Sequence, residues 1–426
     1  MSSARRVAVK VLSEIEREGS YSNIAADVAI KEAGLDSVDS KLASILIYGC
    51  LQRKITLDTV LQQAAGNGFR KTHPFVLAVL RVGAYQLLFM DKIPESAAVN
   101  ESVKIVKSSK QKFAAGFTNA VLRKIAKSKG EILKSIAESN DLCFKYSCTH
   151  ELAESLIKDY GFNTAQGFLK ASLESPKLYC RENCFVDNNG LFEALTEKGI
   201  ECEKSGLEGA FILNGAGSVE RLPEFKSGKF FVQDLASQIA VSSFSIGEGM
   251  SVLDVCAAPG GKSFTAAQYV GKTGKVVSCD LYDKRVGLIS NGAKRLNIGV
   301  LTAFQNDAAV FNDSLGKFDR VLCDVPCSGF GVIRRKPEIK YKSLSEFSEL
   351  PEIQLSILNT SVNYLKQDGM IMYSTCTLRN TENREVVDSF LKENNGFEVV
   401  TEKTLFPQID GSDGFYFCVL KGRNHE

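Results

Sequence analysis

Residues 253–263 read LDVCAAPGGKS. A short apolar run ends at Asp254, a turn carrying Pro259, Gly260 and Gly261 follows, and a stretch with helical spacing begins after it. The paired glycines let the backbone approach a ligand closely and open the next helix. Gly261-Lys262-Ser263 invites reading as a phosphate-binding loop. That motif needs a glycine at position 256, where this chain has Cys256, so the reading fails. What remains is one strand–turn–helix unit with a ligand-facing turn.

The same rhythm repeats downstream. SVLDVC (251–256), VVSCD (276–280), VLTAF (300–304), RVLCDV (320–325) and MIMYST (370–375) are short apolar runs separated by helical or loop stretches. That pattern predicts a doubly wound parallel sheet, with FEVV (397–400) and FYFCVLKG (415–422) adding an antiparallel pair at its edge. In such a sheet the ligand sits beyond the carboxyl ends of the strands. Asp280, 26 residues after Asp254, is placed there to accept hydrogen bonds from ribose hydroxyls, and Asn306-Asp307 suits the edge of an adenine. The fourth and fifth strand ends carry Asp324 with Cys327, in DVPCSG (324–329), and Cys376, in YSTCTL (373–378).

These three motifs, in this order, resemble the S-adenosylmethionine-dependent RNA cytosine-5 methyltransferases, a likeness covering roughly 231–422. The helical first 145 residues resemble the NusB-like RNA-binding domain. The resemblance implies S-adenosyl-L-methionine as cofactor, surrounded by Cys256, Ala257, Ala258, Pro259, Gly260, Gly261, Lys262, Asp280, Asp307 and Asp324. It also implies methylation of C5 of a cytosine in small-subunit (16S) ribosomal RNA, unassembled or partly assembled.

The chemistry accounts for two thiols. C5 of cytosine is too weak a nucleophile to take a methyl group unaided; a thiolate added to C6 turns the ring into an enamine that can. The C5 proton must then leave so that the thiolate can depart. Spacing alone does not say which cysteine attacks. The RNA family implies Cys376 as nucleophile and Cys327 as the helper in release, with Asp324 hydrogen-bonding the ring and Lys262 a source of positive charge for Cys376. No histidine falls in a strand-end motif, which disfavours a cysteine–histidine hydrolase. DVPC stands where amino-group methyltransferases carry an Asn/Asp-Pro-Pro-aromatic run, which disfavours those too. Two alternatives stay open: the same chemistry on transfer RNA, and a catalytically silent RNA-binding assembly factor.

The rest of the 426-residue chain is expected to form further domains. Residues 1–145 read as an all-α domain, 146–230 as a connector and small α+β domain, and 231–426 as the Rossmann-like methyltransferase domain. The longest apolar stretch, FVLAVLRVGAYQLLFM (75–90), is interrupted by Arg81 and Gln86 and suits a buried central helix better than a membrane span. With no apolar signal core at the start, a cytoplasmic protein is expected, as a monomer without membrane attachment. A net charge of +2 hides an asymmetry, because 1–145 hold 22 basic and 14 acidic residues. Within that part, 104–129 carry eight basic residues and no acidic one, so Lys104, Lys107, Lys124 and Lys127 are candidate RNA contacts. Arg334, Arg335 and Lys336, just after the Cys327 turn, are expected to form a basic loop gripping RNA beside the site. Twelve cysteines without a CxxC pair, the closest being Cys180/Cys184 and Cys323/Cys327 with no histidine cluster, argue against a zinc site, and no metal is expected.

Overall fold

A computed structural model of the chain describes residues 3–18 and 22–423. The chain divides into two compact units, Met1–Glu174 with Ile333–Leu344, and Ser175–Val332 with Ser345–Glu426. Among the described residues no helix is long and apolar enough to cross a membrane.

The first unit is helical and is built around the helix Pro74–Phe89. His73 caps it by accepting the Phe75 amide at Nδ1 (3.2 Å), and Pro74 supplies the preset first turn. This helix is buried on nearly every face, which is why its sequence is apolar almost throughout. Its two polar interruptions are satisfied inside the core: Arg81 pairs with Asp58 (2.7 Å) and Glu16, and Gln86 accepts from Arg5 Nε (2.7 Å). At Gly83 a Cβ would lie 2.7 Å from the Leu122 side chain, so the glycine sets the close approach of the neighbouring helix Ala115–Lys127.

The domain boundary expected at 145/146 differs from the observed division. Helices Leu142–Tyr146, His150–Tyr160 and Phe162–Ala171 belong to the first unit. Ile333–Leu344 joins it as well, anchored by buried polar groups. The fully buried Lys340 donates to the carbonyls of Gln52 (2.8 Å) and Tyr146 (3.2 Å), and Tyr341 hydroxyl meets Ser147 Oγ at 3.0 Å.

The second unit holds two sheets. The smaller is antiparallel, with β1 (Leu178–Glu182), β2 (Glu201–Lys204), β3 (Ala210–Asn214) and β4 (Phe230–Val232) in the order β2-β3-β1-β4. Phe230–Val232 pairs with β1, so the smaller sheet reaches past the boundary expected at 230/231. The larger sheet runs β10-β11-β9-β8-β5-β6-β7. Its parallel strands are β5 (Ser251–Asp254), β6 (Lys275–Asp280), β7 (Leu301–Gln305), β8 (Phe318–Asp324) and β9 (Leu365–Thr375). β10 (Phe397–Leu405) and β11 (Phe415–Gly422) complete it as the expected antiparallel edge. Both faces are covered. Val252, Val276, Leu322 and Met372 pack on one side with helix Gly261–Val270; Leu253, Val277, Val321 and Ile371 pack on the other with Leu350–Ser361 and Arg384–Glu393. Burial on two sides explains why these strands read as continuous apolar runs. β5 lies between β6 and β8, so the order switches at β5 and its carboxyl end opens on the crevice where such sheets bind ligands.

Candidate active site

Strand ends β5, β6, β8 and β9 present Asp254, Asp280, Asp324 and Thr375 around that crevice. The turn after β5 is held by its own backbone. Ala257 N donates to Cys279 O (2.7 Å), Gly260 N to Ala257 O (2.7 Å), and the Ala258–Pro259 peptide is cis. Gly260 has φ +113°, and a Cβ there would strike the Phe264 ring at 2.4 Å, so no other residue fits this turn. Asp280, almost fully buried, accepts the amides of Ala258 (3.3 Å) and Tyr282 (3.2 Å) and faces Arg285 at 3.4 Å. This carboxylate ties the glycine turn to the end of β6. Leu281 and Tyr282 beside it are exposed. Beyond β7, Asp307 closes a turn through Ala309 N (2.9 Å), and Asn306 is hydrogen-bonded to Asn312 (3.0 Å).

The cysteine end of the crevice is more tightly built. Cys327 and Cys376 Sγ atoms lie 3.2 Å apart. Asp324 Oδ2 pairs with Lys262 Nζ at 2.7 Å, while its Oδ1 accepts from Ser374 Oγ at 2.9 Å. Lys262 also sits 4.9 Å from the centre of the Phe415 ring. Burial works against its ammonium, yet Asp324 beside it, with Asp254 and Cys376 further off, holds its pKa above the ordinary lysine value. Cys327 is pushed well above the usual thiol range by its hydrogen bond to Cys376, then by burial and by the charges of Glu382 and Asp324. Cys256 is pushed up mainly by burial. Beneath the turn, Asp254 is fully buried; it takes the Ser263 hydroxyl at 2.6 Å, and burial raises its carboxyl to about 7.

A second layer was not legible in the motifs. Glu382, fully buried, accepts Ser328 N (2.8 Å), Ser328 Oγ (2.6 Å) and Gln354 Nε2 (3.1 Å), and pairs with Arg379 (3.1 Å). Gln354 also donates to Pro326 O (2.9 Å), so one carboxylate and one amide fix both sides of Cys327. On the Cys376 side, Gly331 N donates to Cys376 O (2.9 Å) and Gly414 N to Gly331 O (3.0 Å). A Cβ on Gly331 would fall 2.0 Å from the Gly414 carbonyl oxygen, so only glycine allows the two loops to meet.

The structure brings together Lys262, Asp324, Cys327 and Cys376, and separately Ala258 with Asp280. The expected basic loop is different. Arg334, Arg335 and Lys336 belong to the first unit, and Arg334 is only 7 % exposed because its segment is anchored through Lys340 and Tyr341. Lys104, Lys107, Lys124 and Lys127 are all exposed. Lys104 pairs with Glu101 (2.6 Å), and Lys124 donates to Ala64 O (3.2 Å). Between the two helices that carry them, Phe113 is 80 % exposed, an aromatic face amid lysines.

Comparison with known proteins adds to this geometry. Residues 243–421 match the 16S rRNA methyltransferase RsmB/F family profile, and 2–127 match the NusB family. The chain is 35 % identical to a probable ribosomal RNA small subunit methyltransferase B of Bacillus subtilis, over 98 % of each chain. It is 29 % identical to the ribosomal RNA small subunit methyltransferase B of Escherichia coli O127:H6, again over 98 % of both. Among solved structures, PH0851 superposes with a TM-score of 0.81 at 22 % identity over 98 % of both chains. NSun6 from Pyrococcus horikoshii, solved with SFG, gives 0.59 at 18 % identity, covering 65 % of this chain and 99 % of that one. Both share the fold.

Proposed function

The chain belongs to the ribosomal RNA small subunit methyltransferase B family, and from that premise we propose that it methylates C5 of a cytosine in 16S ribosomal RNA through a covalent cysteine adduct. The observation that carries the reading is the pair of thiols 3.2 Å apart beside a partly buried lysine–aspartate pair at the strand ends.

S-adenosyl-L-methionine fits the crevice on its donor set. Asp280 is a strand-end carboxylate suited to ribose hydroxyls, Leu281 and Tyr282 offer apolar surface beside it, and Asp307 suits the adenine edge. The turn 256–261, with Lys262, would hold the methionine part. When bound, the cofactor supplies an electrophilic methyl group on a sulfonium.

The two thiols differ by environment. Cys327, hydrogen-bonded to Cys376, buried, and near the carboxylates of Glu382 and Asp324, keeps its proton; Cys376 is within the field of Lys262. A cation near Cys376 favours its thiolate, which adds to C6 of the cytosine. Asp324, fixed by Lys262 and Ser374, is the group placed to hydrogen-bond the base and favour its protonated ring. After methylation a solvent water takes the C5 proton, the C5–H electron pair forms the C5–C6 double bond, and the C6–S bond breaks to release Cys376 as thiolate; the Cys327 thiol, 3.2 Å from that sulfur, assists by hydrogen-bonding the departing thiolate. Lys104, Lys107, Lys124 and Lys127 hold RNA phosphates, and Phe113 among them offers a face on which a base can stack. Arg335 and Lys336 remain a second set of phosphate contacts.

The experiment is a denaturing gel of Cys376→Ala and Cys327→Ala, each incubated with cofactor and unmodified 16S RNA. The Cys327 variant should attack and transfer methyl but stall before release, leaving a slow-migrating RNA–protein band. The Cys376 variant should give no band and no methylation. The reverse pattern exchanges the roles, and methylation intact in both sinks the covalent mechanism.

A further inference from the structure

Residues 141–150, DLCFKYSCTH, lie in the first unit and take no part in the chemistry above. Asp141 caps the short helix Leu142–Tyr146, its Oδ1 accepting Cys143 N at 2.8 Å. Ser147 then adopts a left-handed conformation (φ 57°), and Thr149 caps the next helix by accepting Leu152 N at 3.3 Å. Two caps with a left-handed residue between them fold the stretch back on itself, so residues at its two ends meet. A carboxylate oxygen of Asp141, Sγ of Cys143 and a ring nitrogen of His150 all lie within 4.8 Å of one another. The Cys148 thiol, fully buried, donates toward Leu142 O at 3.9 Å. All four side chains line one cleft of ≈ 510 Å³.

We propose that Asp141, Cys143, Cys148 and His150 form a binding site for a zinc-type divalent cation. Two sulfurs, an imidazole and a carboxylate are a donor set for tetrahedral zinc, whose ligand atoms, at bond lengths of about 2.0–2.3 Å, sit roughly 3.3–3.8 Å apart. The spacing of Asp141, Cys143 and His150 is a loosely gathered version of that arrangement, needing closure by about an ångström, and Cys148 lines the same cleft. Asp141 and His150 are exposed and the sulfurs are buried, so a cation can enter from solvent and end against the thiols. The closest cysteine pairs, Cys180/Cys184 and Cys323/Cys327, have no histidine cluster beside them. The productive set here is spaced Asp-x-Cys-x₄-Cys-x-His. A cation here would pin the start of helix His150–Tyr160 to the short helix before it.

The test uses the untagged full-length protein from zinc-supplemented cells, with zinc measured by mass spectrometry after gel filtration. One zinc per chain is expected, retained in Cys327→Ser/Cys376→Ser and lost in Cys143→Ser/Cys148→Ser. Cobalt added to chelator-stripped protein should give a thiolate charge-transfer band, absent in the second variant. Because loss of both buried thiols can disturb folding, His150→Gln and Asp141→Asn, changed at exposed positions, should release zinc to a competing chelator at least tenfold more readily with an unchanged circular dichroism spectrum. No zinc and no cobalt band in the wild type overturns the proposal. So does zinc that follows Cys327 and Cys376, or a Cys143–Cys148 disulfide in protein purified without oxygen.

Discussion

Asp254→Asn isolates one term of the energetics beneath the site. The carboxyl is fully buried, accepts one hydroxyl from Ser263, and its other oxygen has no partner. Burial raises its pKa from 3.8 to about 7 in the folded protein. Between those values the unfolded chain has released a proton that the folded chain keeps, so stability falls as pH rises through this window. At about 1.4 kcal/mol per unit, the loss from Asp254 alone reaches about 4 kcal/mol above the folded value. About 2 kcal/mol of it falls between about pH 5.5 and about pH 8, the part above 5.5 and below 7. Asn keeps the shape and an acceptor for Ser263 but carries no charge to desolvate. Its extra amide donor costs about 1–3 kcal/mol at every pH, which leaves the pH dependence untouched. Amide hydrogen exchange of β5 and β6 in the full chain, corrected for intrinsic rates, reads the opening free energy of this sheet. The variant should gain about 2 kcal/mol relative to the wild type over that interval. If the two proteins lose protection in parallel, Asp254 is ionised in the folded state and the burial argument is wrong.

Three further outcomes follow from the site. Asp280→Ala should weaken S-adenosyl-L-methionine binding in calorimetry by about 1.5–3 kcal/mol per ribose hydrogen bond lost, and an unchanged affinity in a folded variant removes the residue from the cofactor site. Changing Lys104, Lys107, Lys124 and Lys127 to Glu should reduce RNA affinity and flatten its log–log salt slope by up to about 3, with single-turnover rates at saturating RNA barely altered; an unmoved slope means these lysines touch only water. Glu382→Gln keeps the hydrogen-bonding shape but leaves Arg379 without its buried charge partner, so methyl transfer should slow while cofactor affinity holds; a wild-type rate shows that the Ser328 contacts alone fix the Cys327 turn.

The parallel sheet was readable because its central strands are largely buried on both faces: Val252 and Leu253, neighbours in sequence, pack into opposite layers, whereas β7 at the edge exposes Thr302 and Phe304. The first boundary was not readable. Helices 142–171 carry the same 3.6-residue period as those before them, and a period says nothing about which core it serves. The Ile333–Leu344 segment misled for a different reason. A lysine in a loop reads as solvated, but Lys340 is buried because two carbonyls, those of Gln52 and Tyr146, stand 288 and 194 residues away in the chain to receive it. Buried cations need such partners, and distant carbonyls leave no mark in local sequence.

The same limit governs the two thiols. DVPCSG and YSTCTL both place a cysteine past a strand, and as residues the two are chemically identical. Their difference comes from third parties. The hydrogen bond to Cys376 and burial do most to keep the Cys327 thiol protonated, and Glu382, more than fifty residues away, adds negative charge to that side through Ser328. Lys262, from the turn after β5, brings positive charge toward Cys376 while its own charge is kept by Asp324. The Lys262 ammonium therefore binds Asp324 and biases Cys376 at once. Lys262→Met should loosen Asp324 and raise the Cys376 thiol together, so adduct formation should need higher pH than in the wild type. An adduct pH profile that does not move on this substitution would mean that the thiolate is made by the RNA-bound state and not by this lysine.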